Sequence, residues 1–333
     1  MDYVYNQKYS RANFYENEIL MRQYPGTISI VVPCYNEEEV LPLFHSRLSV
    51  VADSLKAKLE IILVDDGSKD RTWEILNEIA QKDKRFKVIK LSRNFGHQLA
   101  LTCGLDQTKG EVIIILDADL QDPPELIPEM ISKWQEGFEV VYGQRSKRHG
   151  ESILKKLFAF MFYRTISRIT KIHIPQDTGD FRLIGRKALN SLLSLRERHR
   201  FIRGMVSWVG YPQCPLVYER PERAAGETKY PVRKSLLLAF DAITSFSYAP
   251  LRIASYLGAF VSGLAFLYIA VVIALFFYGI NFSGYTSMMA SILMLGGVQL
   301  MVLGIMGEYV GRIFEQGQGR PLYLVDEIKG EPL

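Results

Sequence analysis

The sequence predicts an α/β protein: a mainly parallel sheet with helices on both faces, followed by two apolar helices long enough to cross a membrane. Three observations carry that expectation. Between residues 27 and 145, short and nearly continuous apolar runs alternate with stretches whose apolar residues recur at helical spacing, the pattern of a parallel sheet covered on both sides. Several of those runs end in acidic or polar clusters, and in open α/β sheets ligands sit beyond the carboxyl ends of strands. Near the C-terminus, two long stretches contain no charged residue at all.

Taken in order, the N-terminal segment MDYVYNQKYSRANFYENEIL is polar and aromatic and lacks the apolar core of a signal peptide, so residues 1–26 read as an extension. TISIVVP predicts the first strand, ending in Pro33-Cys34-Tyr35-Asn36-Glu37, with a helix from about Glu37. EIILVDDGS predicts the second, ending in Asp65-Asp66-Gly67-Ser68, with Ser68 and Asp70 as caps of the helix RTWEILNEIAQ. FKVIKLS, EVIIILDAD and EVVYG supply three more strands, and PELIPEMISKWQ another helix. A short apolar strand follows PQDTGD. No G-x-G-x-x-G and no P-loop follows a strand, which disfavours dinucleotide and P-loop chemistry. A net charge of +4 over 333 residues is too small to argue for nucleic acid. The three cysteines, Cys34, Cys103 and Cys214, lie far apart without metal-ligand spacing, pointing to a reduced compartment with no disulfide framework.

The charge-free stretches run from Ile253 to Ile280 and from Thr286 to Met306, each at or beyond the roughly 20 residues a bilayer span needs. They predict a transmembrane hairpin. Arg233, Lys234 and Arg252 precede it and Arg312, Arg320 and Lys329 follow, whereas the connector NFSGY is uncharged. Positive residues stay inside, which puts both the N-terminal region and the tail on the cytoplasmic face. The division expected is a catalytic region over 27–232, a juxtamembrane amphipathic helix over 233–252, spans over 253–280 and 286–311, and a cytoplasmic tail over 312–333. Ile153 to Lys171 interleaves Lys and Arg with Phe and Met, as an interfacial helix does. Gly307 and Gly311, with Gly296, Gly297 and Gly304 nearby, form a small-residue stripe; it fits helix packing within the hairpin, a homo-oligomer contact, or the general abundance of glycine in membrane helices.

Asp117 and Asp119 stand two apart at the end of the fourth strand. In an extended segment their carboxylates share a face, with Gln121 offering a third oxygen on the same side. Such a set either caps the next helix or holds a divalent cation. Oxygen ligands suit Mg²⁺ or Mn²⁺ bridging carboxylates and a substrate diphosphate. Arg200 and Arg203 in RHRFIRG, and Arg220, Arg223 and Lys229 in YERPERAAGETKY, are cations suited to a phosphate. Gly226 and Tyr230 make the second stretch read as a loop able to close over it.

VVPCYNEEEVL, ILVDDGSKDRT and DADLQDPPE together resemble family 2 glycosyltransferases of the GT-A (Rossmann-like) fold. DTGDFRLIGRKAL, RPERAAGETKYPVRK and the hairpin narrow the resemblance to polyprenyl-phosphate glycosyltransferases, the group of GtrB-type bactoprenol glucosyltransferases and dolichyl-phosphate-mannose synthases; it covers about residues 27–312. The resemblance implies an inverting transfer of a sugar from a nucleotide diphosphate-sugar to polyprenyl phosphate at the cytoplasmic membrane face. It implies a nucleotide-sugar pocket from Pro33, Tyr35, Glu37, Asp65, Asp66, Asp117 and Arg145, with the base contact open between Asp65 and Asp66. The metal site it implies is Asp117, Asp119 and Gln121, and the acceptor phosphate falls to Arg200, Arg203, Arg223 and Lys229. Asp177, with Asp180 and Asp119, is the carboxylate set nearest the chemistry, Asp177 being favoured over Asp180. A phosphate acceptor is already largely ionised at neutral pH, so Asp177 would mainly orient groups or take a residual proton. UDP-glucose is the favoured donor. GDP-mannose, and a hydroxyl lipid as acceptor, remain alternatives. RHRFIRGMVSW lacks the Q-x-x-R-W pattern of processive synthases.

Overall fold

The computed structural model describes residues 21–146, 175, 178–219, 247–279 and 284–330. The sheet-forming region opens with β1 (Thr27–Cys34), α1 (Leu41–Ser54), β2 (Lys58–Asp65), α2 (Thr72–Lys82) and β3 (Phe86–Leu91). It continues with α3 (His97–Asp106), β4 (Val112–Ile115), α4 (Ile127–Gln135) and β5 (Val140–Arg145). Then come β6 (Thr178–Gly185), α5 (Arg186–Ser194), α6 (Ile202–Trp208) and β7 (Gln213–Tyr218). The hairpin is α7 (Ala249–Phe277) and α8 (Tyr285–Gly317), and β8 (Val325–Lys329) closes the chain.

One sheet runs in the order β7-β5-β6-β4-β1-β2-β3-β8. β1 pairs in parallel with β2 and β4, and β2 with β3, so the centre is the parallel sheet expected. Its margins are mixed. β6 runs antiparallel to both β4 and β5, and β8 antiparallel to β3. The alternation of side chains divides each central strand between two cores. Ile28, Ile30 and Val32 of β1 and Ile114 of β4 pack with α1, α2 and α4 through Phe44, Leu76 and Met130. Val31, Ile113 and Ile115 face the other way, against Leu101, Leu189 and Met205 of α3, α5 and α6. Ile114 has no exposed surface; truncating such a side chain to alanine costs about 2–5 kcal/mol. All three cysteines are free and buried.

Two sequence expectations change here. The fourth strand stops at Ile115, and Asp117-Ala118-Asp119 lies in a turn rather than an extended segment. Leu120 has φ 57°, a left-handed conformation uncommon outside Gly, Asn and Asp. Strand alternation therefore does not put Gln121 on the face of Asp117 and Asp119, and Gln121 is buried. The tail, in turn, is not a free appendage. After α8 it crosses α3, buries part of Tyr323 against Ala100 and Cys103, and pairs with β3 as an edge strand.

Both hairpin helices outrun their expected bounds, α7 beginning at Ala249 and α8 reaching Gly317. The stretches Ala249–Leu275 and Ser291–Gly317 are apolar enough to cross a membrane, and only 6% and 0% of their apolar windows are buried by protein. That excludes buried core helices, since Phe266 and Leu300 are 77% and 72% exposed and helices apolar on all sides need lipid. A Cβ added at Gly296, Gly297, Gly304, Gly307 or Gly311 would meet nothing within 4 Å, so these glycines do not pack α8 onto α7.

Candidate active site

The parallel strands deliver their carboxyl ends to one edge. There the β1–α1 and β2–α2 loops are tied together through small polar side chains. Ser68 Oγ accepts the Asn36 N–H at 3.0 Å, and Asn36 Oδ1 accepts that of Lys69 at 2.9 Å. Thr72 Oγ1 accepts the Glu37 N–H at 2.8 Å. Asp70 takes the Glu38 N–H at 3.3 Å on one oxygen and the Thr72 N–H at 3.0 Å on the other. Asp70 thus serves the start of α2, as expected. Ser68 does not cap that helix but holds the neighbouring loop. Pro33 is buried, and Tyr35 and Glu37 are half-buried beside it.

The paired acids of β2 divide their work. Asp66 accepts the Phe95 N–H at 2.7 Å and the Gly96 N–H at 2.9 Å, one on each oxygen, and so anchors the loop before α3. Asp65 Oδ1 accepts the Ser68 N–H at 3.1 Å, while its Oδ2 is buried without a hydrogen-bond partner. Burial raises the pKa of both carboxyls. Gly67 makes this crossing possible: its φ is 66°, and a Cβ there would lie 2.5 Å from the Arg93 carbonyl carbon.

At the end of β4, Asp117 Oδ1 is likewise buried with no hydrogen-bond partner. His97 Nε2, at the start of α3, lies 3.7 Å away. Burial raises the Asp117 pKa, against the pull of His97, and the charges of Asp180, Asp122 and Asp119 raise it further. Asp119 Oδ1 accepts the Gln121 N–H at 3.1 Å. Among the described residues, no three His, Cys, Asp or Glu side chains are grouped to hold a metal. The donor set still fits a divalent cation in one way: Asp117 keeps a buried oxygen without a hydrogen bond two residues from the Asp119 carboxylate, and substrate oxygens and water would supply the other ligands.

Because β6 runs antiparallel to β4, its N-terminal end reaches the same edge, and Asp180 becomes a buried hub. Arg203 Nε lies 2.8 Å from Oδ1, and Arg203 Nη2 3.2 Å from Oδ2. His97 Nε2 and Gln98 Nε2 stand 3.1 Å and 3.2 Å from that same Oδ2. Burial alone would raise the Asp180 pKa, but Arg203 and His97 outweigh it and hold the carboxyl well below its ordinary range. Burial would lower that of His97, yet the bond to Asp180 and the Asp117 charge raise it to about 9. Both Asp180 oxygens are therefore engaged, Oδ1 by Arg203 and Oδ2 by Arg203, His97 and Gln98. Arg203 faces this cluster, with 28% of its side chain exposed.

A second buried acid stands beside the turn. Asp122, fully buried, accepts a hydrogen bond from Tyr218 Oη and lies 3.9 Å from Arg145 Nη2. A Cβ at Gly179 would sit 2.8 Å from that Arg145 nitrogen, so the guanidinium occupies the space a larger residue would fill. Arg200 does not join Arg203. It is buried and donates through Nη1 to the Leu195 carbonyl, and its charged neighbours are Glu197, Arg196 and Asp106. Asp177, Arg220, Arg223, Lys229 and the expected interfacial helices lie outside the described residues, apart from the segment's last few residues, of which 249–252 open α7. His97, Gln98, Arg182, Asp122 and Tyr218 were not singled out by sequence. Arg182 bonds locally to the Asp180 and Gly179 carbonyls, but His97, Gln98, Asp122 and Tyr218 have partners far along the chain, His97 and Asp180 being 83 residues apart.

Residues 29–193 match the model of glycosyl transferase family 2, and residues 249–313 that of the GtrB C-terminal hairpin. An uncharacterised glycosyltransferase of Bacillus subtilis, YkcC, is 51% identical over 303 residues, covering 91% of this chain and 94% of its own. The chain belongs to glycosyl transferase family 2. The family expected from the motifs is the family found, and the GT-A fold with a C-terminal apolar hairpin is its architecture. This glycosyltransferase is also 42% identical over 303 residues to the bactoprenol glucosyl transferase of Shigella phage SfX, covering 91% of this chain and 99% of that one. Among solved structures, glucosyl-3-phosphoglycerate synthase from Mycobacterium tuberculosis is similar at a TM-score of 0.47 and 17% identity, over 66% of this chain and 78% of that one.

Proposed function

We propose that this glycosyltransferase transfers glucose from UDP-glucose to the phosphate of a polyprenyl phosphate, with inversion, at the cytoplasmic face of the membrane. The observation that carries the reading is the juxtaposition, at one sheet edge, of the partnerless Asp117 oxygen and the Asp180–Arg203–His97 cluster in a chain that carries an apolar hairpin long enough to cross a membrane. The phage relatives, named bactoprenol glucosyl transferases, supply the sugar and the carrier.

On this reading Asp65, rather than Asp66, accepts the imino proton of the base, since its Oδ2 is the carboxylate oxygen with no partner. Pro33, Tyr35 and Glu37 wall the nucleoside. Asp117 and Asp119 would hold Mg²⁺ or Mn²⁺, which when bound supplies Lewis-acid stabilisation of the diphosphate leaving group. Arg145, fixed by Asp122 and Tyr218, neutralises charge on the same diphosphate. Arg203, with Arg223 and Lys229, holds the acceptor phosphate. One phosphate oxygen attacks the anomeric carbon from the face opposite the diphosphate. Its new C–O bond forms as the bond to the diphosphate breaks, and UDP leaves with the electron pair. An ionised phosphate needs no proton removed, so Asp177 orients the acceptor rather than activating it.

The test gives membranes containing the protein a panel of labelled nucleotide sugars, polyprenyl phosphate, and Mg²⁺ or Mn²⁺. Labelled lipid that is cleaved by mild acid and forms from UDP-glucose is the expected result; no labelled lipid with any donor would sink the reading. Asp119→Ala and chelation of the metal should each lower turnover at least about a hundredfold. Unchanged activity in both would refute the metal assignment.

A further inference from the structure

The geometry points to a second anion site, distinct from the active site, which takes the phosphate of an anionic phospholipid headgroup. It is a cavity of about 510 Å³ between the end of α8, the tail and the α5–α6 loop. Its walls are built rather than incidental. Arg196 grips Asp106 with two bonds of 2.8 Å, and Tyr323 Oη donates to Asp106 at 2.7 Å. Gln316 ties the two sides, accepting the Arg198 N–H at 2.9 Å and donating to the Arg196 carbonyl at 3.2 Å.

The charges of that wall do not cancel. Asp106 is satisfied by Arg196 and Tyr323, and Glu315 lies 2.9 Å from His199. Among the described residues, no hydrogen bond or ion pair engages the side chain of Arg198 or Arg320, and both line the cavity. Arg200, whose charged neighbours include the wall residues Arg196 and Asp106, is 7% exposed, and its Nε and Nη2 are buried without a partner. A buried guanidinium with unmet donors calls for an anion or ordered water. The sequence singled out Arg200 for a phosphate; in the structure its charged neighbours include Arg196 and Asp106 of this wall, although Arg200 itself does not line the cavity.

Depth in the membrane chooses a lipid over a soluble anion. The span Ser291–Gly317 has 27 residues, about 40 Å at 1.5 Å per residue, which matches a bilayer including both headgroup layers. Glu315 and Gln316, at its end, line the cavity, so the cavity opens at headgroup level. Arginine suits a phosphodiester there because it offers several donors in a plane. The site lies beside the α3 C-terminus at Asp106, whereas the active-site cluster is at the α3 N-terminus with His97, and the inference does not depend on which sugar or acceptor the enzyme uses.

The experiment reconstitutes the full chain in nanodiscs of phosphatidylcholine with a minor share of phosphatidylglycerol and counts lipid retained on release, by native mass spectrometry. The wild type should retain phosphatidylglycerol in preference to phosphatidylcholine, and Arg198→Ala with Arg320→Ala should reduce that retention on the order of tenfold. Removing equal charge elsewhere, with Lys56→Ala and Lys82→Ala, should leave retention unchanged. Equal loss in that control would show general electrostatics, and no loss in the arginine variant would show no site; either overturns the inference. So would inorganic phosphate binding in detergent with no enrichment of phosphatidylglycerol, which would make this a site for a free anion.

Discussion

At the scale of single residues, the chemistry rests on which oxygens the fold leaves over. Asp66 and Asp180 are consumed by backbone amides and by cations, whereas Asp65 and Asp117 each keep one buried oxygen without a hydrogen bond. The importance of DDGS and DADLQ was legible because acids at strand ends need a reason to be there. The division of labour within each pair was not, since it depends on residues remote in sequence. Asp180 shows the consequence. Replacing it with Asn keeps the shape but removes the charge that Arg203, His97 and Arg182 face. Removing the buried anion from such an ion cluster costs about 3–5 kcal/mol, so Asp180→Asn should lower the thermal midpoint by about 10 °C, read in detergent by tryptophan fluorescence. A shift under about 2 °C would show that the cluster is not held by this charge.

At the scale of elements, the alternation of apolar strands and helical stretches is enough to place β1 to β5 with α1, α2 and α4, but not α3. What it missed were β7 and β8, the latter a five-residue edge strand of sequence VDEIK. Its charged, half-exposed pattern is how edge strands avoid further pairing, and for the same reason it resembles a tail. The loops were also read too locally. Ser68 and Asp70 look like helix caps in sequence, yet between them they accept amide protons from Asn36 and Glu38 across a second loop. Asp70→Ala therefore should cost about 1–2 kcal/mol and raise KM for the donor more than it lowers kcat. Burial opposes ionisation of Asp70, but hydrogen bonds from Thr72 and Glu38 hold its pKa below 3.8. A depressed folded-state pKa means that this contribution is present above 3.8 and is lost as pH falls through the folded value. Wild type and Asp70→Ala should accordingly converge in stability on acidification. A gap that persists at the lowest pH would assign the effect to packing instead.

At the scale of the whole molecule, β8 constrains the topology. It pairs with β3 after α8 has ended, so the chain must return to the side of the membrane on which the catalytic sheet lies, which two spans achieve and one cannot. Charge then selects the side: Arg252 and Arg312 flank the catalytic ends of the hairpin, while the connector from Gly279 to Gly284 carries no charged residue. The catalytic domain and the tail should both be cytoplasmic. The native thiols are buried, so single introduced cysteines report sidedness against a quiet background. Tyr278→Cys, at a position 83% exposed beyond α7, should react with a membrane-impermeant maleimide in intact cells. Lys56→Cys on the catalytic domain and Asp326→Cys on β8 should react only after permeabilisation. If the last two react together in intact cells and Tyr278→Cys does not, the hairpin is inverted. If they react on opposite sides, β8 cannot be an edge strand of its own chain's sheet, and the tail would have to be placed anew.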